Sequence, residues 1–108
     1  MIKSELKDLK RLMEFPKEGI FSKVLVKTET SNYTLMCLAK GTDISEHTST
    51  REAAVTVLKG KGIFVLGGKK IRMSPGVFIF MPAGAPHSLS ADKDSNLAIL
   101  LSLMGKEK

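Results

Sequence analysis

Two histidines, His47 and His87, are the residues through which this chain can most readily do chemistry. An imidazole is the commonest metal ligand and the usual general acid or base near neutral pH. No other histidine occurs, and forty positions separate the pair. Each stands beside a run with strand character, and a sheet structure lets such distant positions converge. Their neighbours add hydroxyls (Thr48, Ser49, Thr50) and two carboxylates, Glu46 and Glu52. The single cysteine, Cys37, has no basic residue visibly paired with it and reads as an inert core thiol.

The elements that must position these groups are mostly strands. Before them, Ile2, Leu6, Leu9 and Met13 form a one-sided stripe of helical period, which Pro16 and Gly19 end. From Ile20 onward, short runs rich in β-branched and aromatic residues predict strands near Ile20–Lys27, Asn32–Ala39, Ala53–Leu58, Gly62–Leu66, Lys69–Met73, Val77–Met81, His87–Ser90 and Leu97–Met104. Glycine-, proline- and aspartate-rich turns separate them, and Gly67–Gly68 signals a two-residue hairpin. Eight short strands without a later helix predict an all-β barrel or sandwich. One domain is expected: an amphipathic helical or irregular segment over 1–19, a barrel over 20–104 and a tail over 105–108.

Composition excludes several classes. The net charge is +6, yet arginine appears only at Arg11, Arg51 and Arg72, and the lysines are scattered. Without a basic run or interleaved aromatics, nucleic acid is not an expected partner. No run approaches the roughly 20 apolar residues of a membrane span, and the N-terminus lacks a signal-peptide core. One cysteine excludes an internal disulfide, so a cytoplasmic protein is expected. Neither a dinucleotide fingerprint nor a P-loop occurs before a helix.

Two stretches, Gly41–Gly60 and Gly76–Ala91, resemble the paired motifs of the cupin superfamily. In the first, Gly41 is followed after five residues by His47, and the motif closes at Gly60. In the second, Gly76, Pro82, Gly84 and His87 fall at the family's spacing. The resemblance covers Ile20 to Met104. It implies a small jelly-roll β-barrel, open at one end and often dimeric through an outer sheet. It also implies a metal site of three imidazoles and a carboxylate, and there this chain departs from the pattern. Ser49 stands at the second histidine position, Ala53 at the glutamate position and Ala91 at the terminal asparagine position.

The resemblance thus leaves His47 and His87 as metal ligands, with Glu52 as a third only if a bulge near Thr48–Arg51 turns it inward. Zinc, iron, manganese, nickel or copper are the ions such a set would take. The residues expected to line a ligand pocket are His47, Ser49, His87, Met36 and Phe80. Met73, Met81, Met104, Phe64 and Phe78 are expected first of all in the core. Three functions follow: a small-molecule binder with a degraded metal site, a metal-dependent enzyme of dioxygenase or isomerase type, or a dimeric interaction module with a vestigial pocket. Loss of two of four ligand positions favours the first. A homodimer is expected, because small open barrels leave strand edges to be covered and Ile20–Lys27 is long and alternating.

Overall fold

A computed structural model of the chain describes residues 3–106. Ile2, part of the predicted helical stripe, and the last two residues of the tail lie outside the described residues. Of that stripe only one turn forms, α1 (Leu9–Leu12), opened by Asp8 with no side-chain cap. Leu6 is 91% exposed rather than aligned on a buried face. A helix so short cannot repay its nucleation unless it is docked. What docks is the end of the segment: Leu12, Met13 and Phe15 pack against Leu35, Cys37 and Ala98 on the outside of a sheet.

Nine strands follow among the described residues: β1 (Ile20–Lys27), β2 (Ser31–Leu38), β3 (Asp43–His47), β4 (Glu52–Lys59), β5 (Gly62–Leu66), β6 (Lys69–Met73), β7 (Phe78–Met81), β8 (His87–Ala91) and β9 (Leu97–Met104). They form a five-stranded sheet, β1-β2-β9-β4-β7, and a four-stranded sheet, β3-β8-β5-β6, with every pairing antiparallel. Between the sheets lies the main core, including Leu38, Val55, Val57, Phe64, Met73, Ile79, Met81, Leu97 and Ile99. This is the all-β, two-sheet barrel the strand pattern predicts. Gly67 and Gly68 have φ of 55° and 84°, the positive values that the two-residue turn between β5 and β6 requires.

The eight predicted strands are all present, within one residue or so at their ends. The ninth, β3, was not expected. Its sequence, Asp-Ile-Ser-Glu-His, has one apolar residue and reads as a polar loop. It forms because it is an edge strand, hydrogen-bonded on one side to β8 and mostly exposed, so no apolar alternation is needed.

One ion pair joins β6 to the residue that follows β8. The Arg72 guanidinium faces the Asp92 carboxylate with both nitrogens, Nη1 donating to Oδ1 at 2.9 Å and Nη2 to Oδ2. The hydrogen bonds from Arg72 hold the Asp92 carboxyl below its ordinary range. Because the folded-state value is depressed, the stabilisation is complete above the ordinary aspartate pKa of about 3.9 and is lost as pH falls through the lowered value. Denaturant unfolding of wild type and Asp92→Asn across pH should therefore show wild type ahead at neutral pH. The gap should close in acid below about pH 4.

Candidate functional site

His47 and His87 face each other across β3 and β8 as register partners. How His47 comes to face the interior is a matter of one extra residue. Ile44 pairs with Leu89 and His47 with His87, so three steps along β3 match two along β8. This is a bulge at Ser45–Glu46. Without it, strand alternation from the inward Ile44 would send Glu46 inward and His47 to the outside. The extra residue reverses the phase and brings His47 to the mouth of the barrel.

The rings meet with centroids 4.2 Å apart at 62°, in an edge-on arrangement. On its other side the His87 ring lies nearly parallel to Phe64, 5.9 Å away and 4° from coplanar orientation. Phe64 is fully buried and acts as a shelf that fixes the imidazole plane. Both histidines use the same local tether. His47 Nδ1 lies 2.8 Å from the Ser45 carbonyl oxygen, and His87 Nδ1 lies 2.9 Å from that of Ala85. A carbonyl oxygen only accepts, so each Nδ1 is the donor and carries a proton. In the neutral ring each Nε2 then presents a lone pair.

Behind the pair lies a cavity of about 90 Å³, lined by Met36, Ile44, His47, Val55, Met81, His87, Leu89, Ile99 and Leu101. Its only polar side chains are the two imidazoles. His87 is 7% exposed and belongs to the cavity wall, whereas His47 is exposed to solvent at the rim. Met36 lines the cavity as expected. The aliphatic residues were missed as lining, although period-2 alternation along β4 and β9 marks Val55, Ile99 and Leu101 as one-face positions.

Three expected site residues do not join this group. Phe80 is 48% exposed on the outer face, paired with Ala54, because its neighbours Ile79 and Met81 are the ones that point inward. Phe78, expected in the core, is 64% exposed for the same reason. Ser49 is absent from the cavity wall and works within its loop: its Oγ accepts from the Arg51 amide at 3.1 Å, and its carbonyl accepts from the Gly84 amide at 2.7 Å. The latter bond ties the loop after β3 to the one before β8.

Glu52 opens β4 on the exposed face, with Ala53 turned into the core beside it. The bulge that would have redirected it lies instead at Ser45–Glu46 and redirects His47. Arg51 takes the buried place in this loop. It is 9% exposed, and its Nε and Nη2 both donate to the Gly105 carbonyl, at 3.0 and 2.8 Å. Sequence spacing gave no sign of that clasp, which ties the loop to the end of β9.

A divalent metal of the kind the motifs imply needs more than two protein donors. The two tethered imidazoles are suited to ligation, since a ligating histidine ordinarily donates its other nitrogen to a carbonyl or carboxylate. The remaining donors are missing: Ser49 is engaged, Ala53 has none and Glu52 faces away. Among the described residues, no group of three or more His, Cys, Asp or Glu side chains comes together to hold an ion. A resident metal with three protein ligands does not fit this site.

The arrangement has relatives. A protein of Aquifex aeolicus, itself uncharacterized, is 30% identical over 102 residues, which cover 92% of this chain and 82% of that protein. The crystal structure of a conserved protein of unknown function from Streptococcus pyogenes superposes with a TM-score of 0.84 at 29% identity, covering 100% of this chain and 93% of that one. One from Thermus thermophilus gives 0.85 at 28% identity, covering 94% and 98%. The model of the cupin domain matches residues 34–103, from β2 through nearly all of β9. Both histidines and the whole cavity wall fall within that span, and the chain belongs to the cupin family.

Proposed function

We propose that this protein binds a small organic molecule in the barrel cavity, without a resident metal. One observation carries the reading: the cavity wall is apolar except for two imidazoles whose orientation is fixed by backbone tethers and by Phe64. Binding sites of small molecules are usually of this kind, apolar walls with a few placed polar groups. A metal-dependent enzyme reading requires a third ligand, and the orientation of Glu52 works against it. A zinc, iron, manganese, nickel or copper ion would find two imidazoles and water here, which is a weak set. A cytoplasmic setting suits the buried free thiol of Cys37, which stays reduced there.

The reading is checked by thermal unfolding in the presence of C2–C4 alcohols, amides and acids. A ligand at ten times its Kd adds about 1.4 kcal/mol, which raises the midpoint of a domain this small by about 5 °C or more. We expect such a shift for some members of the panel, reduced in Leu101→Phe, which fills the cavity. No shift for any member at tens of millimolar would contradict the proposal.

The proposed assembly is a homodimer. Phe80, Ala54, Ser102 and Tyr33 lie in register across the outer face of the five-stranded sheet, and Phe78 lies in the next row with Thr56 and Leu100. Phe78, Phe80 and Tyr33 are exposed there, and β1 and β7 are edge strands. An apolar face of this kind on a small barrel suits a second copy of the same chain. Sedimentation should give a dimer at high micromolar concentration, weakened by Phe80→Lys. A monomer at that concentration would contradict it.

A further inference from the structure

The tethers that fix the two imidazoles also determine what the cavity can recognise. Each Nδ1–H is committed to a backbone carbonyl, at Ser45 and at Ala85, so neither ring has a proton left to offer a ligand. The hydrogen bonds of the described residues include none to either Nε2. Every other lining side chain is aliphatic or a thioether. The two rings that line the cavity thus keep only an acceptor nitrogen free for a ligand, and the rest of the wall is hydrocarbon or thioether. A ligand that is itself only an acceptor, such as a ketone or an ester, would set its lone pairs against those of the imidazoles. It would also strip water from the Nε2 of the buried His87 without replacing the bond, and an unsatisfied polar group is costly in an apolar site.

Size restricts the ligand further. About 90 Å³ is the space of roughly three water molecules, or of about four or five non-hydrogen atoms. With His47 at the rim and His87 in the wall, a ligand held by the imidazoles would keep its polar end toward the mouth and its apolar end against the hydrocarbon wall.

We propose that the cavity selects small neutral molecules with a hydrogen-bond-donating head on a short hydrocarbon body, a short-chain alcohol being the simplest, and discriminates against acceptor-only isosteres. This rests on the reading that the barrel cavity binds a small organic molecule. It goes beyond that reading by assigning the polarity of recognition to the Nδ1-protonated form of both rings.

The test uses the full, chelator-treated chain at about pH 8.5, above the ordinary imidazole range. The probes are 2-butanol and 2-butanone, which share a skeleton and differ in the donor hydrogen. Ring ¹⁵N spectra should report the Nδ1–H form for both histidines. Titration should move the ring resonances of His47 and His87 and the methyls of Met36 and Met81, with 2-butanol binding about tenfold more tightly than 2-butanone. In His87→Phe the alcohol's advantage should shrink while the ketone still binds.

A ketone that enters the cavity as tightly as the alcohol overturns the donor-selective inference and leaves the small-molecule reading standing. An Nε2–H form in either ring also overturns it. If neither probe moves the cavity methyls and no member of the wider panel does, both the inference and the reading beneath it fail.

Discussion

Gly60→Ala should be the most damaging of the glycine-to-alanine changes in this protein. Gly60 follows β4 with φ of 87°, a conformation that costs an L-residue about 1–2 kcal/mol. A Cβ there would also drive into the backbone carbonyl of Asn96 and press on the Cα of Leu97 at 3.0 Å. Neither neighbour is free to yield. The Asn96 side chain accepts from the Lys40 amide at 2.9 Å, Ser95 Oγ accepts from the Lys61 amide at 3.0 Å, and Leu97 is fully buried. Overpacking against such a fixed backbone typically costs a further 1–3 kcal/mol. The sum, about 2–5 kcal/mol, is a large part of the stability of a domain this size. Urea unfolding should show that loss. Gly84→Ala is the control, since Gly84 has φ of 83° but nothing near its missing Cβ. It should cost only the backbone term, about 1–2 kcal/mol. Equal losses in the two variants would show that the approach to Asn96 contributes nothing.

Phe64→Ala should lose comparable stability and disturb the site as well. Phe64 is among the largest fully buried side chains and packs between β6 and β8, with Ile71 and Leu89 as register partners. Truncating a buried phenylalanine costs about 3–5 kcal/mol. Its ring is also the shelf under His87, so its removal frees the imidazole plane while leaving the Ala85 tether in place. Phe64→Leu keeps most of the volume and should cost about 1–2 kcal/mol. Both variants should weaken binding of cavity ligands, measured by titration at a temperature where each is folded. Unchanged affinity in folded Phe64→Leu would remove the shelf from the account of the site.

The contrast between Phe64 and Phe80 shows what could be read in the sequence. The strands of the barrel were legible wherever apolar residues alternate or turns carry glycine, as at Gly67–Gly68. Both cupin motifs were legible because their glycines and Pro82 are local necessities of turns. Val77–Met81 was different, because an unbroken apolar run carries no period-2 signal. The choice between Phe78/Phe80 and Ile79/Met81 as the inward pair is made by the facing sheet, not by the strand itself.

The site was half legible for a related reason. Spacing located His47 and His87, and it located the departures at Ser49 and Ala53. The bulge at Ser45–Glu46 left no signature in Asp-Ile-Ser-Glu-His, and a single inserted residue decides which of Glu46 and His47 enters the barrel. Carboxylates close in sequence to a metal motif are therefore a poor guide to ligation. Glu46 and Glu52 both lie within a few residues of His47, and both are exposed. The role of Arg51 was hidden because its partner is a backbone carbonyl at Gly105, 54 positions away.

The central claim is that the two imidazoles serve an organic ligand in an apolar cavity and do not form a resident metal centre. The most direct measurement follows the ¹³C-methyl resonances of methionine in chelator-treated protein, first with a small-molecule panel and then with zinc. The account predicts that panel members move Met36 and Met81, and that Met13, on the outside of the sheet, stays still. It predicts that zinc binds no more tightly than micromolar, as two imidazoles alone would allow. Stoichiometric zinc uptake at nanomolar affinity, lost in both His47→Ala and His87→Ala, with no response to any organic probe, would contradict it.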